Sequence, residues 1–222
     1  NYNNIMLVNE IGNAISKQLE VDSILSKTIQ IIENRVEYDR GMILLANEDK
    51  SKLIFRTGFG YNFDQYNFLK EAVFNIRPDS KGPFVRAFLD KKPILVNDIE
   101  EIKDKLSARS LKVARILETK SFLCCPIIYE DEPIGVLAVD NKSTKTPFLQ
   151  SDVNLLMGIA PAIAISIHNA RLVESKENQF RSIIQTLAAT IDARDFLTAG
   201  HSERVTEYAV GICEELRLSR DY

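Results

Sequence analysis

The sequence predicts an α+β fold: two amphipathic helices, then two antiparallel hairpins separated by an irregular stretch, then one long closing helix. Three observations carry that reading. Ile5, Val8, Ile11, Ile15 and Leu19 recur at spacings of three and four, one stripe of a helix. Two pairs of short apolar runs are each joined by a polar turn, the pattern of hairpins. From Phe148 onward the apolar positions step by four and three again, with no break other than Pro161 until about Ala193.

Composition bounds the class. The 222 residues can hold one large domain or one ordinary domain plus an appendage, and 45% hydrophobic with 27% charged residues is the balance of a soluble globular protein. A net charge of −3 gives no basic face on which to expect nucleic acid. The longest strongly apolar run, Leu155–Ile167, contains Gly158 and Pro161 and is too short to span a bilayer, so no membrane segment is expected. No signal peptide is visible, and a first residue other than Met implies excision from a longer protein. The cysteines, Cys124, Cys125 and Cys213, include no CxxC pair. Cys124 and Cys125 are adjacent on a strand and so point to opposite faces, which reads as small buried residues in a reducing, cytoplasmic setting.

In chain order, Tyr2–Leu19 forms the first helix. Asp22 is placed to cap a second through Val36, with Ile24, Leu25, Ile29, Ile32 and Val36 buried. Arg40–Asn47 is a compact central strand, and Lys52–Gly58 alternates Leu53, Phe55 and Thr57 against Ile54 and Arg56. Phe59–Lys105 is irregular, with a short strand at Val73–Ile76, a helix at Pro83–Leu89 and an extended piece at Ile94–Val96. It is the stretch most available for a ligand. Ser107–Glu118 is a charged helix. Phe122–Tyr129 and Pro133–Asp140 are strands joined by Glu130-Asp131-Glu132, the strongest hairpin signal. The long helix runs from Phe148 to Ala193, with a kink expected at Pro161. Its seam of Leu156, Ala160, Ile163, Ile167 and Ala170, continued by Val173, Phe180 and Leu187, argues for a second copy of the same helix. The alternative is that it packs back on its own sheet.

The order of these elements resembles a GAF domain over residues 1–172, and particular words support the resemblance. Ile134-Gly135-Val136-Leu137-Ala138-Val139-Asp140 is similar to the family's strand before the closing helix. Asn141-Lys142, Phe148 and Asp152 resemble the Asn-Lys…Phe…Asp motif of cyclic-nucleotide-binding members. Val153 stands where that motif has an acidic residue. Physically the motif reads as architecture: Asp152 in a first helical turn, Lys142 pairing with it, and Phe148 plugging the loop onto the core. Ala164–Leu172 looks like the family's closing helix.

The resemblance implies a six-stranded, mainly antiparallel sheet with helices packed on one face, a ligand pocket on the other and a long C-terminal signalling helix. Phe59–Lys105 would roof the pocket. The candidate lining residues are Phe55, Ile76, Gly82, Val85, Ile94, Asn97, Asp98 and Cys124. Gly82-Pro83 opens either a helix whose free N–H groups face an anion or a plain helix start. Phe59, Tyr61, Phe63, Tyr66 and Phe68 either stack on a planar ligand or pack the lid. His168, on the signalling helix, reads as a surface or interface residue rather than a haem ligand.

A second resemblance covers Phe180–Tyr222. Asp192-Ala193-Arg194-Asp195, Thr198 and Gly200-His201-Ser202-Glu203-Arg204-Val205 are similar to the start of HD-GYP domains, which are cyclic di-GMP phosphodiesterases. The resemblance assigns His201 as an early metal ligand, on a helix face shared with Val205, Ala209, Ile212 and Leu216, with Thr198 as the cap. The remaining ligands of that family have no counterpart before Tyr222, so no catalysis and no cofactor are expected in this chain. The full-length parent is expected to hold a two-metal centre of Fe or Mn, because Leu197 stands where some members carry an acidic third-metal ligand.

Three functions follow as expectations. The first is a sensor that binds a small molecule, a cyclic nucleotide among the candidates, and controls a phosphodiesterase through a homodimeric helix. The second is a ligand-free dimerisation scaffold. The third, an enzyme of the kind found among small GAF-fold sulfoxide reductases, needs reactive cysteines in loops, and Cys124 and Cys125 are on a strand.

Overall fold

The computed structural model describes residues 2–142, 147–194 and 201–218, the side chains of 2, 191–194 and 201–203 excepted. Two helices, α1 (Tyr2–Ile15) and α2 (Val21–Arg35), lead into strands β1 (Arg40–Ala46) and β2 (Lys52–Phe59). Then come α3 (Phe63–Glu71), β3 (Val73–Asn75), α4 (Pro83–Asp90), β4 (Ile94–Val96), a 3-10 segment (Ile99–Lys105) and α5 (Ala108–Leu117). The hairpin β5 (Ser121–Tyr129) and β6 (Glu132–Asn141) follows, then α6 (Gln150–Arg194) and α7 (His201–Glu215). The six strands form one antiparallel sheet in the order β3-β2-β1-β6-β5-β4. The chain divides into two compact units, Asn1–Arg171 and Leu172–Tyr222.

Strand alternation builds two cores from one sheet. Ile43, Leu45, Leu123, Cys125, Leu137 and Val139 join α1, α2 and α6 on one face. Their sequence neighbours Met42, Leu44, Phe122, Cys124, Val136 and Ala138 join α3, α4 and α5 on the other. Cys124 and Cys125 therefore do point to opposite faces, and both are fully buried.

The long helix corrects one inference from spacing. Leu156, Ala160, Ile163, Ile167 and Ala170, the seam that suggested a partner helix, are 0–2% exposed and belong to the domain's own core. Burial against α1, α2 and the sheet produces the same period as a coiled coil, because both require one apolar stripe. Further along α6 the stripe is uncovered: Phe180, Ile183, Ile184 and Leu187 are exposed. The helix is continuous through Pro161, whose ring faces outward. Over Gln150–Thr190 α6 is long and apolar enough to cross a bilayer, a property that counting uninterrupted apolar residues missed. Yet 56% of its most apolar stretch is buried inside the protein, as for a core helix.

Two local assignments also change. The cap of α2 is Glu20, without a side-chain hydrogen bond, and Asp22 lies in the first turn, ion-paired with Arg56. Lys142 pairs with Glu118 rather than Asp152. The Asp152 carboxylate instead accepts the Leu149 amide at 2.7 Å and the Tyr38 hydroxyl at 2.9 Å, fixing the start of α6. Phe148 is 3% exposed, its ring tilted against Tyr38 with centroids 5.5 Å apart, so it is anchored in the core just ahead of α6.

Gly60 ends β2 at a φ of 78°, and a Cβ there would lie 2.1 Å from the Asp39 carbonyl oxygen. Gly60→Ala should therefore destabilise the domain by about 2 kcal/mol or more, combining left-handed strain with a backbone clash. A lower urea midpoint at unchanged slope is the expected result; an unchanged midpoint would contradict the tight approach of these two segments.

Candidate ligand cavity

A cavity of about 350 Å³ lies between the second face of the sheet and the layer formed by α4, α5 and the loop that follows β3. Its floor is strand: Met42, Phe122 and Ala138 present apolar side chains, and Asp140 closes one end. Its walls are Val85 of α4 and Val113 and Leu117 of α5. Phe74 and Phe84, edge-to-face at 5.2 Å, form the aromatic part of the lining.

Two helix starts line the same cavity. Gly82 is the cap of α4 with Pro83 in the first turn, which leaves the Phe84 and Val85 amides without intrahelical acceptors. Ser107 caps α5, its Oγ accepting the Ser110 amide at 3.1 Å. The starts are adjacent, since a Cβ on Gly82 would lie 3.3 Å from Ser110 Oγ. Arg77, Lys81 and Arg109 line the cavity with exposed cations, against Asp79. Both helix dipoles and the excess of cations make this side electropositive.

The floor holds a buried polar cluster. Arg40, 1% exposed, faces Asp140, 4% exposed, across the β1–β6 register. Arg40 Nε donates to Asp140 Oδ1 at 3.0 Å, Nη2 donates to Oδ2, and Nη1 donates to the Leu117 carbonyl at the end of α5. Thr119 Oγ1 donates to Asp140 Oδ2 at 2.7 Å. Burial pushes the Asp140 carboxyl above the usual carboxylate range, opposed by the Arg40 charge and by hydrogen bonds from Arg40 and Thr119. The Arg40 guanidinium lies 5.3 Å from the Tyr61 ring centroid. The Tyr61 hydroxyl is buried without a hydrogen-bond partner, and burial pushes its pKa well up.

Of the residues singled out from sequence, Gly82 and Val85 line this cavity. Phe55 is buried under α3, edge-to-face with Tyr66 at 5.2 Å. Ile76 and Ile94 pack at the margin of the same core, Ile94 paired with Cys124 across β4–β5. Asn97 holds the peptide of Phe148, and the Asp98 carboxylate caps the 3-10 segment by accepting the Glu100 amide. Tyr61, Phe63, Tyr66 and Phe68 lie away from the cavity, and Phe59 belongs to the core on the opposite face. His168 stacks on Tyr129 with ring centroids 4.0 Å apart. His201 starts α7, but its side chain lies outside the described residues, as do Leu197 and Thr198 altogether. Among the described residues, no group of three or more His, Cys, Asp or Glu could hold a metal ion.

Arg77, Lys81, Arg109, Ser110, Thr119 and Asp140 also line the cavity and were not among the residues singled out from sequence. One signal was available: Arg40 opens one apolar strand and Asp140 closes another, and a charge at the end of such a run needs a partner.

Burial also raises both strand thiols, Cys124 well above its ordinary value and Cys125 to about 12. Thiolate chemistry at neutral pH is disfavoured at both positions.

A curled antiparallel sheet with a helical bundle on one face and a roofed cavity on the other defines an α+β domain. The chain belongs to the GAF domain family, whose model matches residues 20–167. GAF domains are sensory regulatory modules of signalling proteins. Among solved structures, residues 122 to 287 of a methyl-accepting chemotaxis protein share 26% identity, with a TM-score of 0.62 over 73% of this chain and 98% of that one. The GAF domain/HD domain protein from Geobacter sulfurreducens shares 14%, with a TM-score of 0.59 over 71% and 98%. Free methionine-R-sulfoxide reductase from Neisseria meningitidis, in complex with its substrate, shares 14%, with a TM-score of 0.60 over 75% and 89%. The fold therefore serves enzymes as well as regulatory modules. Comparison with the curated proteins returns no match.

Removing the Asp140 carboxylate leaves the Arg40 charge buried without its counterion. Asp140→Ala should cost about 3–5 kcal/mol in urea unfolding, and Arg40→Met with Asp140→Ala should recover part of that loss. A double variant no more stable than the single one would show that the pair does not act as a unit.

Proposed function

We propose that this chain is the sensory GAF module of a bacterial-type signalling protein, and that it binds a small molecule in this cavity to control a C-terminal HD-GYP cyclic di-GMP phosphodiesterase. The observation that carries the ligand reading is the cavity itself. Its volume suits a metabolite-sized molecule, its walls are apolar, and one side joins two helix starts to three cations. That chemistry favours a small anion with a planar or apolar body, of which a cyclic nucleotide is one example. The free amides of Phe84 and Val85 and the side chains of Lys81 and Arg109 would meet the anionic group, and Phe74 or Phe84 the body.

Support for the phosphodiesterase output comes from the resemblance of Asp192–Val205 to an HD-GYP start, with a GAF domain/HD domain protein among the structural neighbours. In the full-length parent His201 would then contribute to a two-metal centre of Fe or Mn. The exposed Phe180, Ile183, Ile184 and Leu187 recur at helical spacing on α6, and a second copy of the helix would cover them. Control would be exerted as a shift of helix rotation or register in that homodimer. The buried free thiols agree with a cytoplasmic location.

Thermal-shift screening against cyclic nucleotides and other small organic anions tests the ligand reading. A true ligand at a hundred times its Kd should add about 2.7 kcal/mol of stability, and Lys81→Ala or Arg109→Ala should weaken its binding roughly tenfold. No stabilisation by any anion, beside a stable dimer, would identify the module as a ligand-free scaffold.

The dimer is tested separately. Phe180→Asp combined with Leu187→Asp should convert it to a monomer in light scattering, with the domain's unfolding midpoint unchanged. A wild-type chain that is already monomeric at micromolar concentration would reject the proposed pairing.

A further inference from the structure

We infer that Asn97 couples the cavity to the output helix, by holding the root of α6 with the same segment that walls the cavity. The inference rests on reading the cavity as the ligand site and adds how its occupancy is reported. Asn97 directly follows β4, and its side chain behaves as a piece of strand. Nδ2 donates to the Phe148 carbonyl at 3.1 Å, and Oδ1 accepts the Phe148 amide at 2.7 Å. Both main-chain hydrogen-bonding groups of one residue are thus taken by one side chain from a segment 51 positions away in sequence.

The two ends of this clamp lie in different settings. On one side, Asp98 caps the 3-10 segment through the Glu100 amide, and the Ile99 amide is fixed to the Lys120 carbonyl at 2.9 Å. Ile99, Leu106 and Ser107 of that same stretch line the cavity. On the other side, Phe148 is anchored in the bundle core against Tyr38. The Tyr38 hydroxyl and the Leu149 amide converge on Asp152 in the first turn of α6. A ligand that displaces Ile99 or Leu106 pulls on a peptide that cannot move without α6. The clamp supplies a contiguous, hydrogen-bonded connection between the two, whereas the sheet floor is a continuous ladder with no comparable freedom.

The test fills the cavity with protein instead of ligand, so it does not depend on the outcome of ligand screening. Ala114→Leu and, independently, Ala138→Val each add methyl groups inside the cavity, from α5 and from β6. Amide exchange at Asp152 and Val153, both bonded to the Leu149 carbonyl, reads the first turn of α6. Each filler is measured in the wild-type, Asn97→Ala and Asn97→Asp backgrounds, with urea midpoints recorded so that global stability can be subtracted. Asn97→Asp keeps the acceptor for the Phe148 amide and loses the donor.

The expected result is a change in Asp152 and Val153 exchange of about fivefold or more on filling the cavity, lost in Asn97→Ala and partly retained in Asn97→Asp. An equal response with and without Asn97 would overturn the inference, because the signal would then bypass the clamp. So would no response to either filler. If one filler unfolds the domain, the other decides. Either negative result leaves the ligand reading intact, and a failed ligand screen leaves this measurement valid.

Discussion

The buried pair of Arg40 and Asp140 is the constraint around which the cavity side of this domain is arranged. Two charges removed from water cost more than their mutual attraction returns unless every remaining donor and acceptor is also satisfied. Here that demand recruits the surroundings. The Leu117 carbonyl, one of the unpaired groups at the end of α5, accepts from Arg40, and Thr119 turns its hydroxyl to Asp140. The guanidinium also places a positive charge at a helix C-terminus, where the dipole is negative. One pair therefore fixes the β1–β6 register, the end of α5 and the turn into β5. Since α5 is a wall of the cavity, the pair sets the depth of that space.

The same arrangement divides the cavity electrically. The floor cluster is internally neutral, with Arg40 matched to Asp140. The unmatched positive charge lies at the other side, on Arg77, Lys81 and Arg109 beside the two helix starts. A ligand entering such a space meets attraction for an anion at the helix starts and an apolar surface elsewhere. Among the described lining residues a cationic ligand would have Asp79 and the already engaged Asp140 to approach. The polarity of the site thus follows from where the helices begin, and their beginnings follow from Gly82-Pro83 and Ser107 in the sequence.

How much of this was legible in the sequence depends on the range of the interaction. Period and turn chemistry are local, so α2, both hairpins, α4, α5 and the extent of α6 could be read directly, while α1 ends at Ile15, short of the expected Leu19. α3 was missed although its start carries a capping box. Asn62 accepts the Gln65 amide and the Gln65 side chain answers to the Asn62 amide, a signature visible in the spacing but hidden by the aromatic residues around it. Partner choice is not local. Lys142 lies closer in sequence to Asp152 than to Glu118, yet it joins Glu118 because Asp152 is turned toward Tyr38 and the Leu149 amide. The first part of the α6 seam shows the same limit, since a helix pattern records that a face is buried and not what buries it.

That ambiguity changes what can carry a signal along α6. Leu156 through Ala170 are committed to the domain core, so this half of the helix cannot rotate freely against a partner without repacking α1, α2 and the sheet. Rotation or register change is available only where the stripe is uncovered, at Phe180, Ile183, Ile184 and Leu187. In the proposed mechanism a stimulus would therefore enter the helix at its root and be delivered past the point where the core lets go. Among the polar groups that hold the root are Asp152 with its two donors, Asn4 on the Ser151 carbonyl, and the side chain of Asn97 on the main chain of Phe148, which itself packs against Tyr38. Among these described groups Asn97 belongs to the stretch that also forms the cavity wall, so in the proposed coupling a short polar side chain, rather than the apolar seam, would be the narrowest passage between the two.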